Sequence, residues 1–162
     1  MAQATVSPPS PLIRYSMLGV FLLVCFAVAA SGAAFSPDEW YRSLNRPPLT
    51  PPGWLFGPVW TALYIMMAVS GWLVWDRGAA EKRSAMTAYA IQLALNAGWS
   101  ALFFGLHRPG LALLEICLLW IAIATTAWRF RPHSPTAAVL LLPYLGWVSF
   151  ATYLSLGFWW LN

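Results

Sequence analysis

The chain has 162 residues, of which 60% are hydrophobic and only 9% charged, with a net charge of +4 and a mean hydropathy of +0.64. A soluble domain carries about 25% charged residues to wet its surface, so this composition excludes an ordinary soluble globule and makes lipid the solvent. The basic excess lies between apolar runs, where it acts as a topology and headgroup signal and not as a nucleic-acid surface.

Crossing a bilayer core of about 30 Å takes roughly 20 apolar helical residues. Residues 1–14 are expected to form a disordered tail ahead of a single domain, 15–162. The first span runs from Tyr15 to Phe35, uncharged and rich in Leu, Val and Ala. Arg14 followed by an apolar core and "AVAASGAA" also resembles a signal peptide, but the apolar stretch exceeds the 7–15 residues of a signal core. A retained helix is the expectation, its small residues suited to close helix contact.

The longest linker, Ser36 to Gly53, reads "SPDEWYRSLNRPPLTPPG" and is stiff with proline. The second span, Trp54 to Trp75, places Gly57, Trp60, Thr61 and Tyr64 on one face, as a packing seam or a binding wall. After "DRGAAEKR" (76–83), the third span, Ser84 to Leu106, carries Gln92, Asn96, Trp99 and Phe103 at spacings that share one face. An amide in lipid is costly without a partner, so Gln92 and Asn96 should point into the bundle. They could serve as interhelical glue or as part of a ligand wall.

The fourth span, Gly110 to Trp128, is interrupted only by Glu115. An intramembrane acid is a functional candidate; near a helix end it can also reach water or the first-turn amides, the role expected here. The fifth span, Pro135 to Leu161, contains "PYLGW" (143–147), where Pro143 should bend the helix. Trp54, Trp75, Trp128, Trp159 and Trp160 sit near span ends and suit an interfacial belt. Trp60, Trp99 and Trp147 lie deeper and need another explanation. Short linkers make neighbouring helices antiparallel, so the expected fold is an all-α, five-transmembrane-helix bundle. The Lys/Arg distribution favours a cytoplasmic N-terminus.

Catalytic dyads, nucleophile triads and phosphate loops are not evident. Cys25 and Cys117 are expected as packed thiols. His107 and His133 fall on opposite membrane faces, so no metal or required cofactor is expected. An 11-tryptophan bundle with so few buried acids and bases looks built to hold a large apolar ligand.

Three segments then carry a resemblance: "DEWYRSLNRPPLTPPGWLFGPVWTALY" (38–64), "QLALNAGWSALFFG" (92–105) and "PYLGWVSFATYL" (143–154). Together they resemble the TspO/MBR family of tryptophan-rich sensory proteins, related to the mitochondrial translocator protein. The resemblance implies a bundle whose first loop caps a ligand cavity, commonly a homodimer, here in a bacterial membrane, inner or outer. It implies binding of porphyrins such as protoporphyrin IX and of benzodiazepine-type ligands, with links to tetrapyrrole transport and to stress, oxygen or light responses. Carried over by motif, the ligand contacts are Trp40, with Tyr41 and Pro51 from the loop, Asn96 and Trp99 from the third helix, and Trp147, Ala151 and Leu154 from the fifth. Trp60 and Phe103 join them by shared face. Two departures stand out. Pro48 and Leu49 replace an aromatic that many relatives carry in the loop, and Leu156 and Trp160 stand where an animal sterol motif has Tyr and Arg.

A proline-stiffened loop loses less entropy on ordering than a flexible one, which suits a lid. Arg42 and Arg46 are placed to meet porphyrin propionates. The expected function is a membrane receptor or sensor for tetrapyrroles. A light-dependent porphyrin-degrading enzyme and a small-molecule transporter using Glu115 are the alternatives.

Overall fold

The computed structural model describes residues 10–35, 37–77 and 82–162, and every regular element among them is helical. Helix α1 (Pro11–Ala33) is followed by the short α2 (Glu39–Ser43), a 3₁₀ turn (Gly53–Leu55), α3 (Phe56–Asp76) and α4 (Lys82–Ser100). A π-helical turn (Ala101–Gly105) extends α4, and α5 (Pro109–Phe130), α6 (Pro135–Leu140) and α7 (Leu142–Leu161) complete the chain. Proline opens α1, α5, α6 and α7 at the first or second position, where its missing N–H would have no helical partner in any case. Because α1 begins at Pro11, residues 11–14 of the expected tail are helical; residues 1–9 lie outside the described residues.

Four segments are long and apolar enough to cross a membrane: Pro11–Ala33, Gly53–Asp76, Pro109–Phe130 and Pro135–Leu161. The remaining expected span, α4, falls short by composition because it spends positions on Lys82, Arg83, Gln92 and Asn96. Those amides are buried, which is consistent with a helix walled by protein: α4 packs along both α1 and α5. α3 lies along α1, and α5 along α7, while α3 meets α6 and only grazes α7. α3 thus meets the last span chiefly through α6, and the α3–α7 seam is its looser part.

The expected bend at Pro143 is present as a full interruption. Leu141 sits between α6 and α7, its N–H bonding the carbonyl of Ala138 at 3.2 Å in a tighter turn. Ser134 caps α6 by accepting from the N–H of Ala137, and Ser70 of α3 donates to the Ala137 carbonyl at 2.7 Å.

Between helices in lipid, apolar burial gains little, and close packing with buried hydrogen bonds holds the elements together. At the α1–α3–α4 junction, Gly71 makes room for two rings: a Cβ there would stand 2.8 Å from Tyr89 and 2.9 Å from Phe21. Tyr89 donates to the carbonyl of Met67 at 3.0 Å, which leaves the Cys25 thiol as donor to the Tyr89 oxygen at 3.3 Å. Cys25 is buried as expected, whereas Cys117 is exposed, lining an open groove with Ser149 and Thr152 of α7. Arg14 clasps Asp76 with two bonds of 2.7 and 2.6 Å, tying the start of α1 to the end of α3.

Candidate functional site

The π-helical turn sets up one end of the bundle. The N–H of Leu106 bonds the carbonyl of Ala101 at 2.8 Å, and that of Arg108 bonds Leu102 at 3.1 Å, so the helix widens before it stops. Gly105 lets the Phe35 ring press against this turn, since a Cβ would lie 2.8 Å from it. The chain then reverses at His107, which adopts a left-handed φ of 53°. That turn aims the imidazole at the loop.

The loop answers with α2. Asp38 caps it by accepting from the N–H of Tyr41 at 3.0 Å, and its other carboxylate oxygen meets His107 Nε2 at 2.9 Å. The Tyr41 amide, and after it the imidazole, hold the Asp38 carboxyl below the ordinary carboxylate value. The Trp40 indole stacks on the His107 ring at 4.3 Å and 20°, and meets Phe103 edge-on at 5.8 Å. Tyr41 contacts Phe103, Phe104 and Phe158, and the Arg46 guanidinium lies over its ring at 5.4 Å. Trp99 stacks flat on Phe103 at 5.1 Å and 14°.

Further along, the loop is fastened to α7. Gly157 is a notch for Pro47: a Cβ at that position would fall 2.5 Å from the Pro47 Cβ. Pro47, Pro48, Leu49 and Thr50 form a turn, with Thr50 N–H and Oγ1 both directed at the Pro47 carbonyl and Leu49 at a φ of 65°. A positive φ at the third turn residue normally belongs to Gly or Asn. Leu49 itself is exposed. Tyr153 donates to the Pro48 carbonyl at 3.1 Å, and Asn45 and Asn162 exchange bonds of 2.9 and 3.2 Å.

Beneath this cap, Asn96 bridges three helices. Its Oδ1 accepts from Tyr64 of α3 at 2.6 Å, and its Nδ2 donates to the Tyr144 oxygen of α7 at 2.7 Å. The Trp60 ring tilts over Tyr64 at 5.5 Å and meets Tyr144 edge-on at 6.2 Å. Trp147 meets Phe56 at 5.9 Å, across the α3–α7 seam. Ala151 and Leu154 follow Trp147 along α7, half-buried and buried respectively.

The sequence-derived residues thus fall into two linked groups. Trp40, Tyr41, Trp99 and Phe103 converge under the loop, and Trp60, Asn96 and Trp147 with Ala151 and Leu154 follow the α3–α7 side. Pro51 is half-buried in the loop, Arg42 is exposed, and Arg46 is held at Tyr41. Under the loop, where a ligand cavity is expected, Trp40 and Tyr41 meet Phe103 edge-on and Trp99 stacks on Phe103. Sequence reasoning missed Phe158 and the Asp38–His107 contact, whose partners are 69 residues apart. It also expected Glu115 to reach water or its own first-turn amides. Instead Glu115 is buried against α4, close to Gly98, and neither carboxylate oxygen has a partner among the described residues. Gln92, the Trp99 indole N–H and Ser155 are likewise buried without one.

The pattern of the TspO/MBR family matches residues 21–161. The chain is 43% identical to the tryptophan-rich protein TspO of Chlorobaculum tepidum, over 85% of its own length and 90% of that protein's. It is 38% identical to the tryptophan-rich sensory protein of Cereibacter sphaeroides, covering 87% of this chain and 88% of the relative. It is 42% identical to the human translocator protein, covering 85% and 82%. With a pattern match across nearly all of α1 to α7 and such relatives in bacteria and animals, the chain belongs to the TspO/MBR family.

Proposed function

We propose that this protein is an integral membrane receptor for flat aromatic ligands, porphyrins above all and benzodiazepine-type molecules with them. In this reading five rods span a bacterial membrane with the N-terminus cytoplasmic, and the protein works as a homodimer. The observation that carries the proposal is the convergence of loop rings Trp40 and Tyr41 on bundle rings Trp99 and Phe103 under a loop held at both ends. Stacked aromatic faces are interchangeable with a macrocycle: a porphyrin between them replaces ring–ring contacts by ring–ligand contacts of the same kind. Asn96 would orient the ligand, and Trp147, Ala151 and Leu154 would give it depth along the α3–α7 seam. Arg42 and Arg46 lie on the same loop and would receive the propionates.

The test is a tryptophan-fluorescence titration with protoporphyrin IX in detergent. Saturable quenching is expected, with affinity falling at least about tenfold in Trp40→Leu and Trp147→Phe. Quenching that never saturates, or is identical in both variants, would overturn the proposal. The Arg42→Gln/Arg46→Gln pair should weaken protoporphyrin much more than its dimethyl ester. The buried Glu115 carboxylate, unpartnered among the described residues, favours a second reading as a proton-coupled carrier. Proton-dependent ligand flux in vesicles, abolished by Glu115→Gln, would establish it, and ligand binding without any flux would remove it.

A further inference from the structure

The end of the bundle opposite the cap holds an open groove of about 460 Å³. Its walls are Ser84 and Ala85, near the described start of α4, and Trp128, Arg129, Arg131 and His133 from the end of α5 and the turn after it. We propose that this groove binds the phosphate headgroup of an anionic phospholipid.

Charge makes the first argument. Arg129 and Arg131 line the groove, and neither forms an ion pair among the described residues. The Arg129 Nε is buried and has no hydrogen-bond acceptor among the described residues. The neighbouring Lys82 is already committed, its Nζ bonding the Trp75 carbonyl at 2.7 Å. Of the acids in the described residues, Asp76 is held by Arg14, Asp38 and Glu39 belong to the loop at the other end, and Glu115 is buried within the bundle. A planar guanidinium presents paired N–H groups that match a phosphate's oxygens, and two unpaired guanidiniums at one groove favour a headgroup of net negative charge over a zwitterionic one whose ammonium they repel.

The backbone points the same way. The first turn of a helix leaves its N–H groups without helical acceptors and carries the positive end of the dipole. The described part of α4 begins at Lys82, and Ser84 and Ala85 near that start form one wall of the groove. Depth supplies the third argument. Trp128 is 70% exposed at the end of an apolar span, the position an indole takes at headgroup level. A groove beside that ring therefore meets the lipid phosphate plane, where an anionic leaflet supplies the counter-charge.

Native mass spectrometry of the full chain, released from micelles containing equal phosphatidylglycerol and phosphatidylcholine, tests the proposal. One phosphatidylglycerol per protomer should be retained about tenfold over phosphatidylcholine. Arg129→Gln/Arg131→Gln should remove that preference, and Arg108→Gln at the cap end should leave it intact. Ser84→Glu guards against a folding artefact, because an acid near the helix start favours the helix while repelling the headgroup; it too should abolish retention. Equal retention of both lipids, an equal loss in Arg108→Gln, or undiminished retention in Ser84→Glu each overturns the proposal. So does displacement of the lipid by millimolar inorganic phosphate, which would make this a free-phosphate site.

Discussion

Asn96 offers the sharpest test of what holds the interior together. Replacing it with Ala removes the acceptor for Tyr64 and the donor to Tyr144, stranding two buried hydroxyls. Interhelical hydrogen bonds in membrane proteins average about 0.6 kcal/mol, so two of them set a floor near 1 kcal/mol. Stranding two polar groups at about 1–3 kcal/mol each sets a ceiling near 6 kcal/mol. For a chain of this size each kcal/mol moves the melting temperature by about 2–4 °C, so Asn96→Ala should lower it by at least about 2 °C in detergent. The sign of a second substitution is more telling than the size of the first. Tyr64→Phe should destabilise the wild-type background, because it orphans the Asn96 oxygen. In the Asn96→Ala background it should stabilise, because it removes an already orphaned hydroxyl. Tyr64→Phe, Asn96→Leu and Tyr144→Phe combined should return close to the wild-type melting temperature. Circular dichroism melts of the five proteins decide it: equal losses from Tyr64→Phe in both backgrounds would refute the network.

Three further outcomes follow from the geometry. Gly157→Ala sets a methyl group 2.5 Å from the Pro47 Cβ, too close to accommodate without moving the loop; cleavage by an added protease within 44–52 should accelerate, and an unchanged rate would count against the notch. The depressed Asp38 carboxyl stabilises the cap at pH values above its ordinary range near 4, and that contribution is lost as pH falls through the lower folded-state value. Amide protection of 38–44 should therefore drop on acidification, and Asp38→Asn should abolish the drop; persistence of the transition in that variant would assign it elsewhere. Glu115→Met removes two buried oxygens that lack partners among the described residues and should raise the melting temperature by about 2–4 °C, from roughly 1 kcal/mol of relieved desolvation. A fall would mean that the carboxylate is held by something other than those residues.

Much of this architecture was legible because lipid imposes simple rules. Apolar length located α1, α3, α5 and the α6–α7 segment, and the cost of an amide in an apolar setting located Asn96 inside the bundle. What escaped were features that depend on three-dimensional register. That Asn96 would find phenols on two different helices follows from how α3 and α7 rotate about their axes, which helical spacing on α4 alone does not contain. The His107 contact was hidden by distance along the chain and by the π-helical turn, for which "ALFFG" offers no local signal. Glu115 was assigned by nearness to its helix end. Its actual setting depends on Gly98 of the neighbouring helix leaving room beside it. Cys117 differed because an apolar run has no marked face, so its side of α5 is set only by the neighbours.

The π-helical turn makes the spacing from Phe103 to Pro109 a measured length. It accommodates one residue more than an α-helix would, and each residue turns a helix by about 100°. Deleting Ala101 would restore ordinary pitch while swinging His107 roughly a quarter-turn away from both Trp40 and Asp38. Fastening of the lid thus depends on a surplus residue in the wall it closes against, and shortening that wall would release it without altering any side chain that touches it.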